Sequence, residues 1–362
     1  METFHSLQHP APNMVPGMRV TTHHFDQIFA WISALSADGL SIFMGGKAFG
    51  LIGTNPQAQK TNFDLQIEDD VLVLKKFAVM FPDGRLAAGS EGLTAEIQYS
   101  LTSLVGGTYD ILLICDPQQH QAFGTPDPAE TPYRHPYRNP ACRLDVVPSG
   151  SLALDTSPEA IKIAELSFEQ DCFRFSESYI PPCVHLRGYQ TLWQKYLDYR
   201  RNWRQFYTYS VDILQKTSPS DPSPVIQSLR KMAEEIGQYT AQNSVRVQGL
   251  GRTAAPLELI QLCTSLAAMF HFYLETLPNE AELIELFKRH VKSLPGYDDF
   301  QRQGFRDAVR TAANLVHDPL DMAHSLQVLD VFFDEALTTW HRLSEASQLL
   351  YVPAETSKMF IR

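Results

Sequence analysis

Clustered positive charge is what this sequence most clearly lacks. Its 362 residues carry 30 Lys and Arg against 41 Asp and Glu, a net charge of −11. That balance argues against binding a nucleic-acid backbone, which needs a concentrated basic face. The one local basic run, Arg200-Arg201-Asn202-Trp203-Arg204, falls in a helical pattern and reads as a solvated helix face. Cysteine is sparse and unpatterned: Cys115, Cys142, Cys172, Cys183 and Cys263 form no CxxC pair. This spacing predicts apolar thiols in a reducing compartment and no disulfide scaffold. Residues 1–16 have neither the positive nor the apolar region of a signal peptide. No uninterrupted apolar run reaches about 18 residues, the length a membrane helix needs. A soluble cytoplasmic protein is expected.

Catalytic motifs are missing as well. There is no G-x-x-x-x-G-K-[ST] phosphate loop, no G-x-S-x-G elbow and no H-E-x-x-H zinc helix. Gly249-Leu250-Gly251-Arg252-Thr253-Ala254 fits the G-x-G-x-x-A dinucleotide pattern, but Val245-Arg246-Val247 before it is too short a strand. Those glycines work only at the end of a buried parallel strand, so a connection between helices is the expected reading. Glu68, Asp69 and Asp70 read as a solvated turn, since neighbours on a strand point to opposite faces. His23 and His24 lie about 100° apart on a helix and are poorly placed to share a metal. No catalytic residue, cofactor, metal, nucleic acid or small-molecule substrate is expected.

What is present is the material of an ordinary folded chain, 44% hydrophobic and 11% aromatic. Its length predicts two or three domains. The stretch before Gly17 is rich in His and Pro and should be extended, docking on something rather than forming an element. Phe25, Ile28, Phe29, Ile32 and Leu35 then fall on one helical face, with Thr21 or Thr22 as cap and Asp38-Gly39 as stop. From residue 40 to 186 the period becomes two. Phe63–Ile67, Val71–Leu74, Ala95–Tyr99 and Tyr109–Ile114 alternate between turn signals such as Pro82-Asp83-Gly84 and Gly106-Gly107. They predict an antiparallel β-sandwich or barrel-like domain. Pro126–Pro140, with five prolines, predicts a long loop.

After Pro181-Pro182 the period switches to about 3.6. Leu192, Tyr196, Tyr199, Trp203, Phe206, Ser210 and Ile213 keep the three-four step of a helix packed on helices. A Ser/Pro breaker follows at 218–224, then a helix to about Gln242 and another from Pro256, a good first-turn residue. Leu257–Leu277 is apolar almost all round, as in a helix buried on several sides. Further helices are predicted at 280–292, 299–316 and 321–350. The fold class expected is α+β and multidomain, an antiparallel β-sandwich-like domain followed by an all-helical half.

One ordered set of motifs resembles a known family. Gly17-Met18, Val20, His24-Phe25 and Gln27 are similar to the G-M-x-L-x-P-Q-H-F-Q opening of TssK, a baseplate component of the bacterial type VI secretion system. Ala48-Phe49-Gly50-Leu51 resembles that family's Y-G-(I/L) segment, and Phe81-Pro82-Asp83-Gly84 its P-D-G turn. Ser157-Pro158 with Ile161–Leu166, then Tyr179-Ile180-Pro181-Pro182-Cys183, resemble the stretch that closes its β domain. Ala255-Pro256-Leu257-Glu258-Leu259 is similar to its H-P-x-x-L-Y helix, and Leu294-Pro295-Gly296-Tyr297 to its L-P-x-Y. Thr22 and His23 replace Pro-Gln, Ala255 replaces a histidine, and the usual preceding Trp is absent.

The resemblance implies a non-enzymatic homotrimer with a β-rich shoulder, a helical stalk, and shoulders that hold baseplate wedge subunits of the TssF and TssG type. It implies a place at the cytoplasmic face of the inner membrane, linked towards the membrane complex or a substitute partner. On it the chain divides into an arm (1–22), a shoulder (23–186), a stalk (187–316) and a C-terminal helix and tail (317–362) standing in for the family's head domain. Wedge contact is expected from Val15, Met18, Val20, His24, Phe25 and Phe29. Trimer packing is expected from Trp203, Phe206, Leu262, Leu266, Met269 and Phe270. Two rival readings are an enzyme with an unrecognised site in the β domain and a phage or contractile-tail adaptor of similar shape.

Overall fold

The structure is a computed structural model that describes residues 5–44, 48–53, 62–89, 96–126, 131–132, 135, 137–150, 159–169, 172–221, 223–251, 254–276 and 302–350. The expected helix at 280–292, the Leu294–Tyr297 motif, Ser157-Pro158 and the tail from Val352 lie outside these residues. The chain forms two compact units, one of residues 1–193 with 252–257 and 318–323, the other of residues 194–251, 258–317 and 324–362.

In the first unit α1 (His5–Gln8) and α2 (Thr22–Met44) precede nine strands. β3 (Val71–Met80) is the hub of one sheet: β2 (Asp64–Glu68) and β5 (Ile97–Ser100) pair with its first half, β1 (Gly50–Leu51) and β4 (Leu86–Gly89) with its second. β3 is buried on both faces along much of its length, with Leu72, Val73, Leu74, Phe77, Val79 and Met80 all buried. The other sheet runs β7 (Tyr137–Pro148), β6 (Thr108–Phe123), β8 (Ala160–Glu169), β9 (Cys172–Phe175), antiparallel throughout. Ile111, Leu113, Ile161 and Leu166 supply its core.

Local chemistry sets the turns. Asp69 and Asp70 join β2 to β3 at φ of 46° and 61°, both in the left-handed region that a two-residue hairpin turn demands. The acidic pair is therefore a turn, as its sequence suggested. The expected loop at Pro126–Pro140 ends sooner, because β7 begins at Tyr137. Its Pro140 is tolerated there because β7 is the edge strand of its sheet.

Two expectations about the N-terminal region are corrected. The arm is not extended throughout, since His5–Gln8 form a helical turn. Nor does Asp38-Gly39 stop α2, which runs on to Met44. Asp38 is turned inward and occupied elsewhere, and Gly39 sits in ordinary helix at a cost of about 1 kcal/mol. A third correction concerns cysteine: Cys115 and Cys142 stand directly opposite on β6 and β7 and are joined in a disulfide. The spacing argument missed them because the two strands meet only in the fold. Cys172, Cys183 and Cys263 are free thiols.

The second unit holds most of α3 (Gln190–Lys216), α4 (Pro224–Gly249) and α5 (Pro256–Thr276), with α6 (Arg302–Ala313) and most of α7 (Met322–Leu350). Aromatic rings fill its centre. Phe270 lies edge-on to Trp340 at 5.2 Å and meets Phe206 at 5.4 Å. Buried polar tips are paired: Trp340 Nε1 donates to Ser210 Oγ at 2.9 Å, Trp203 Nε1 to the Thr240 carbonyl at 2.9 Å, and Tyr196 OH to the Val247 carbonyl at 3.0 Å. Burial, with Asp330 beside it, raises the Tyr199 hydroxyl well above its ordinary pKa, keeping it a neutral donor to Asp330 at 2.9 Å. α7 belongs to this core through Phe332, Phe333 and Trp340. α4 continues through Val245–Val247 to Gly249, so no strand precedes the glycine pair and the dinucleotide resemblance is void.

Candidate interaction surface

The motifs that carried the family resemblance are structural joints. Gly50 has φ of 110°, and a Cβ there would lie 1.9 Å from the Pro182 carbonyl oxygen. Glycine lets the strand come close enough for Leu51 N–H to donate to that oxygen at 2.8 Å, while Val184 N–H donates to the Leu51 carbonyl at 2.9 Å. Leu186 N–H then donates to the carbonyl of Ala254, two residues before Pro256 opens α5. Three motifs far apart in sequence thus meet in one hydrogen-bonded joint.

The Pro82-Asp83-Gly84 turn forms the second joint. A Cβ on Gly84, at φ 84°, would sit 2.2 Å from the Ala37 carbonyl oxygen, so only glycine lets the turn press on α2. Asp38 on the same helix accepts the backbone N–H of His5 at 2.7 Å and of Ser6 at 2.7 Å, capping α1 from outside. Burial alone would raise the Asp38 carboxyl, but the hydrogen bonds from Ser6 and His5 outweigh it and hold the pKa well below the usual carboxylate range. His5 also approaches Asp38 at 2.9 Å and Asp83 at 3.5 Å, and Arg85 pairs with Asp83 at 2.5 Å.

These joints decide which way α2 faces. Its inward residues are the small Ala34 and Ala37 with Asp38, because only a small face fits so near the turn. Its large residues therefore point to solvent: Phe25, Phe29, Ile32, Leu35, Ile42 and Phe43 are all exposed, Phe43 by 87%. That reverses the usual rule that an amphipathic helix buries its apolar stripe. Ahead of it, Met14, Val15 and Val20 are exposed and Met18 half-buried. These exposed apolar residues make the arm and α2 a candidate interaction surface.

The six residues expected at the wedge contact lie on the arm and the first turns of α2, with Met18 and His24 half-buried and the other four exposed. Val15, Met18 and Val20 lie on the arm. Phe25 and Phe29 open the α2 stripe, where Arg138 of β7 pairs with Asp26 at 2.8 Å and lies 5.8 Å from the Phe29 ring centroid. His24 is engaged at home, since its Nδ1 accepts the Thr21 N–H at 3.1 Å and lies 2.8 Å from Thr21 Oγ1. It fills the role Glu or Gln plays three residues past a helix cap. Ile42 and Phe43 were missed by the sequence reading; the apolar letters continuing past Asp38-Gly39 were the available signal. Among the described residues no group of His, Cys, Asp and Glu could hold a metal.

Of the six residues expected between copies, Trp203, Phe206, Leu262, Leu266 and Phe270 are buried within the helical unit itself, and Met269 is half-buried. One chain already satisfies their apolar demand. A cavity of about 550 Å³ in the first unit is lined by Asn62 and by residues of β3, β4, β5, β6 and β7, with Lys76 the one ionisable side chain among the described lining residues.

A unit rich in antiparallel strands with an outward apolar helix, and a second unit of helices, define the fold class as α+β in two units. The solved structures it matches are TssK structures. A crystal structure of TssK aligns over 90% of this chain and 71% of its own, with TM-score 0.56 and 14% identity. TssK from the type VI secretion system of EAEC, bound to a nanobody, aligns over 89% and 99%, with TM-score 0.53 and 15% identity. A TssK-TssF-TssG baseplate subcomplex of the type VI secretion system aligns over 92% of this chain and 98% of its counterpart, at 0.50 and 14%. The chain has the TssK fold. No protein-family model matches it, and no curated protein matches it in sequence.

Proposed function

We propose that this protein is a structural baseplate component of a type VI secretion system, a trimeric adaptor that holds wedge subunits of the TssF and TssG type. The observation that carries the reading is agreement of the fold with TssK structures over about nine-tenths of the chain. Its docking element is the apolar arm, Val15, Met18 and Val20, presented at a fixed angle by the capped start of α2. The same likeness supports a cytoplasmic position from which the adaptor links the wedge towards the membrane-anchoring complex. Its work on this reading is binding and mechanical coupling, without turnover.

Co-expression with TssF-type and TssG-type subunits tests it. The wild-type chain should co-purify with them, and Val15→Asp with Val20→Asp should weaken capture at least tenfold while leaving the melting temperature unchanged. A folded wild-type chain that captures neither subunit would overturn the baseplate reading. Undiminished capture by the folded double variant would remove the arm from the contact.

A further inference from the structure

We propose that α2 is the surface along which copies of this chain associate, the seam Phe25, Phe29, Ile32, Ser36, Gly39, Phe43 of one packing against the same seam of its neighbours. The inference deepens the trimeric part of the proposed function by naming the surface. The seam steps by four, three, four, three and four residues along the whole helix. That 3.5-residue repeat keeps side chains in line only against another helix running alongside. Ile28, Leu35 and Ile42 flank it at intervals of seven. Among the described residues it stays largely open, with Arg138 alongside the Phe29 ring: Phe25 is 52% exposed, Phe29 56% and Ile32 47%. In its middle stand Ser36 and Gly39, and a Cβ on Gly39 would meet nothing within 4 Å, so a second backbone can approach closely there.

Charge selects the occupant. α2 carries only two acidic residues and no Lys or Arg. Asp38 is buried beneath α1, and Asp26 is neutralised by Arg138. Copies that each bear −11 repel one another, and they meet without juxtaposing like charges along an uncharged strip. A charged partner would find no complementary groups on the seam. α2 is also long and apolar enough to cross a membrane. Its inner side, however, is fixed to the Gly84 turn and to α1, so it does not enter a bilayer as a free span.

Light scattering on the purified full chain, with the double variant Phe29→Glu and Phe43→Glu beside it, tests the proposal. Wild type should have three times the chain mass of 40.9 kDa, and the variant should fall to one chain mass with an unchanged circular dichroism spectrum. A multimeric wild type whose folded variant keeps its mass overturns the seam and leaves the trimer standing; a wild type of single-chain mass overturns both. Cross-linking decides if the variant misfolds. In a Cys172→Ser background, Ser36→Cys should give covalent dimers on oxidation and Leu86→Cys, equally surface-exposed, should not; equal yields overturn the seam. A single-chain wild type that sediments with phosphatidylcholine vesicles, lost on Phe43→Glu, would assign the surface to lipid instead.

Discussion

Asp38 accepts the backbone N–H of Ser6 at 2.7 Å across 32 residues of sequence, so a carboxylate in one helix caps the first turn of another. The contact fixes α1, turns the small face of α2 inward and leaves its large residues in solvent. Asp38→Asn keeps the shape but loses the charge and one of the two acceptor oxygens, so that an NH2 faces a backbone N–H, and should cost at least about 1–2 kcal/mol in urea unfolding. Exchange at the amides of residues 5–8 should rise with it. The pH dependence follows from the direction of the shift. A carboxyl lowered in the folded state stabilises that state above its unfolded pKa, near 4, and the benefit is lost as pH falls from there through the folded value. Wild-type protection at residues 5–8 should therefore hold at neutral pH and fade below about pH 4, whereas in Asp38→Asn this dependence should be absent.

Gly50 and Pro182 give a second prediction. Gly50→Ala places a methyl group inside the Pro182 carbonyl and forces a side chain into a left-handed backbone. It should destabilise the first unit by at least about 2 kcal/mol. Gly249→Ala at the end of α4, outside the α2 seam, is the control, since a Cβ there meets nothing within 4 Å and the helix gains up to about 1 kcal/mol. Thermal melts of the two variants should shift in opposite directions.

At the β2–β3 turn, Asp69 and Asp70 both hold positive φ without being glycine. Asp70→Gly relieves the steric cost, partly offset by the greater freedom of glycine in the unfolded chain. A net gain of about 0.5 kcal/mol is expected in chemical unfolding.

Leu266 separates a core role from an interface role. It is fully buried in one chain, so Leu266→Ala should cost about 2–5 kcal/mol of stability. The folded fraction should keep the wild-type mass by light scattering. A stable variant with altered mass would return this residue to the contact between copies.

His24→Gln retains an acceptor three residues past the helix cap, whereas His24→Ala removes it. Helix-start stability should fall by about 0.5–2 kcal/mol in the alanine variant only. Capture of wedge subunits should follow the stability of the helix start, because the ring nitrogen nearest the backbone is already engaged with Thr21.

Much of this fold was legible in sequence because periodicity reports a local environment. The short apolar runs of Val71–Leu74 and Tyr109–Ile114 between turn signals, and the three-four steps from Leu192 to Ile213, announced strands and then helices, with the change near Pro181-Pro182. The order of short motifs likewise pointed to the TssK fold that the solved structures share. What the letters could not decide was direction and pairing. Phe25, Phe29 and Ile32 look like a core stripe, and Phe206, Leu266 and Phe270 look equally suited to a contact between copies. Whether an apolar face turns inward depends on what else competes for that space. Here Gly84 and Asp38 claim the inner side of α2, and helices distant in sequence close around Phe206 and Phe270. Cys115 meets Cys142 for the same reason: strand register brings them opposite, and no spacing rule encodes it. The sequence by itself determined the elements and their order. The tertiary structure decided which apolar residues are spent within the chain and which are left to bind.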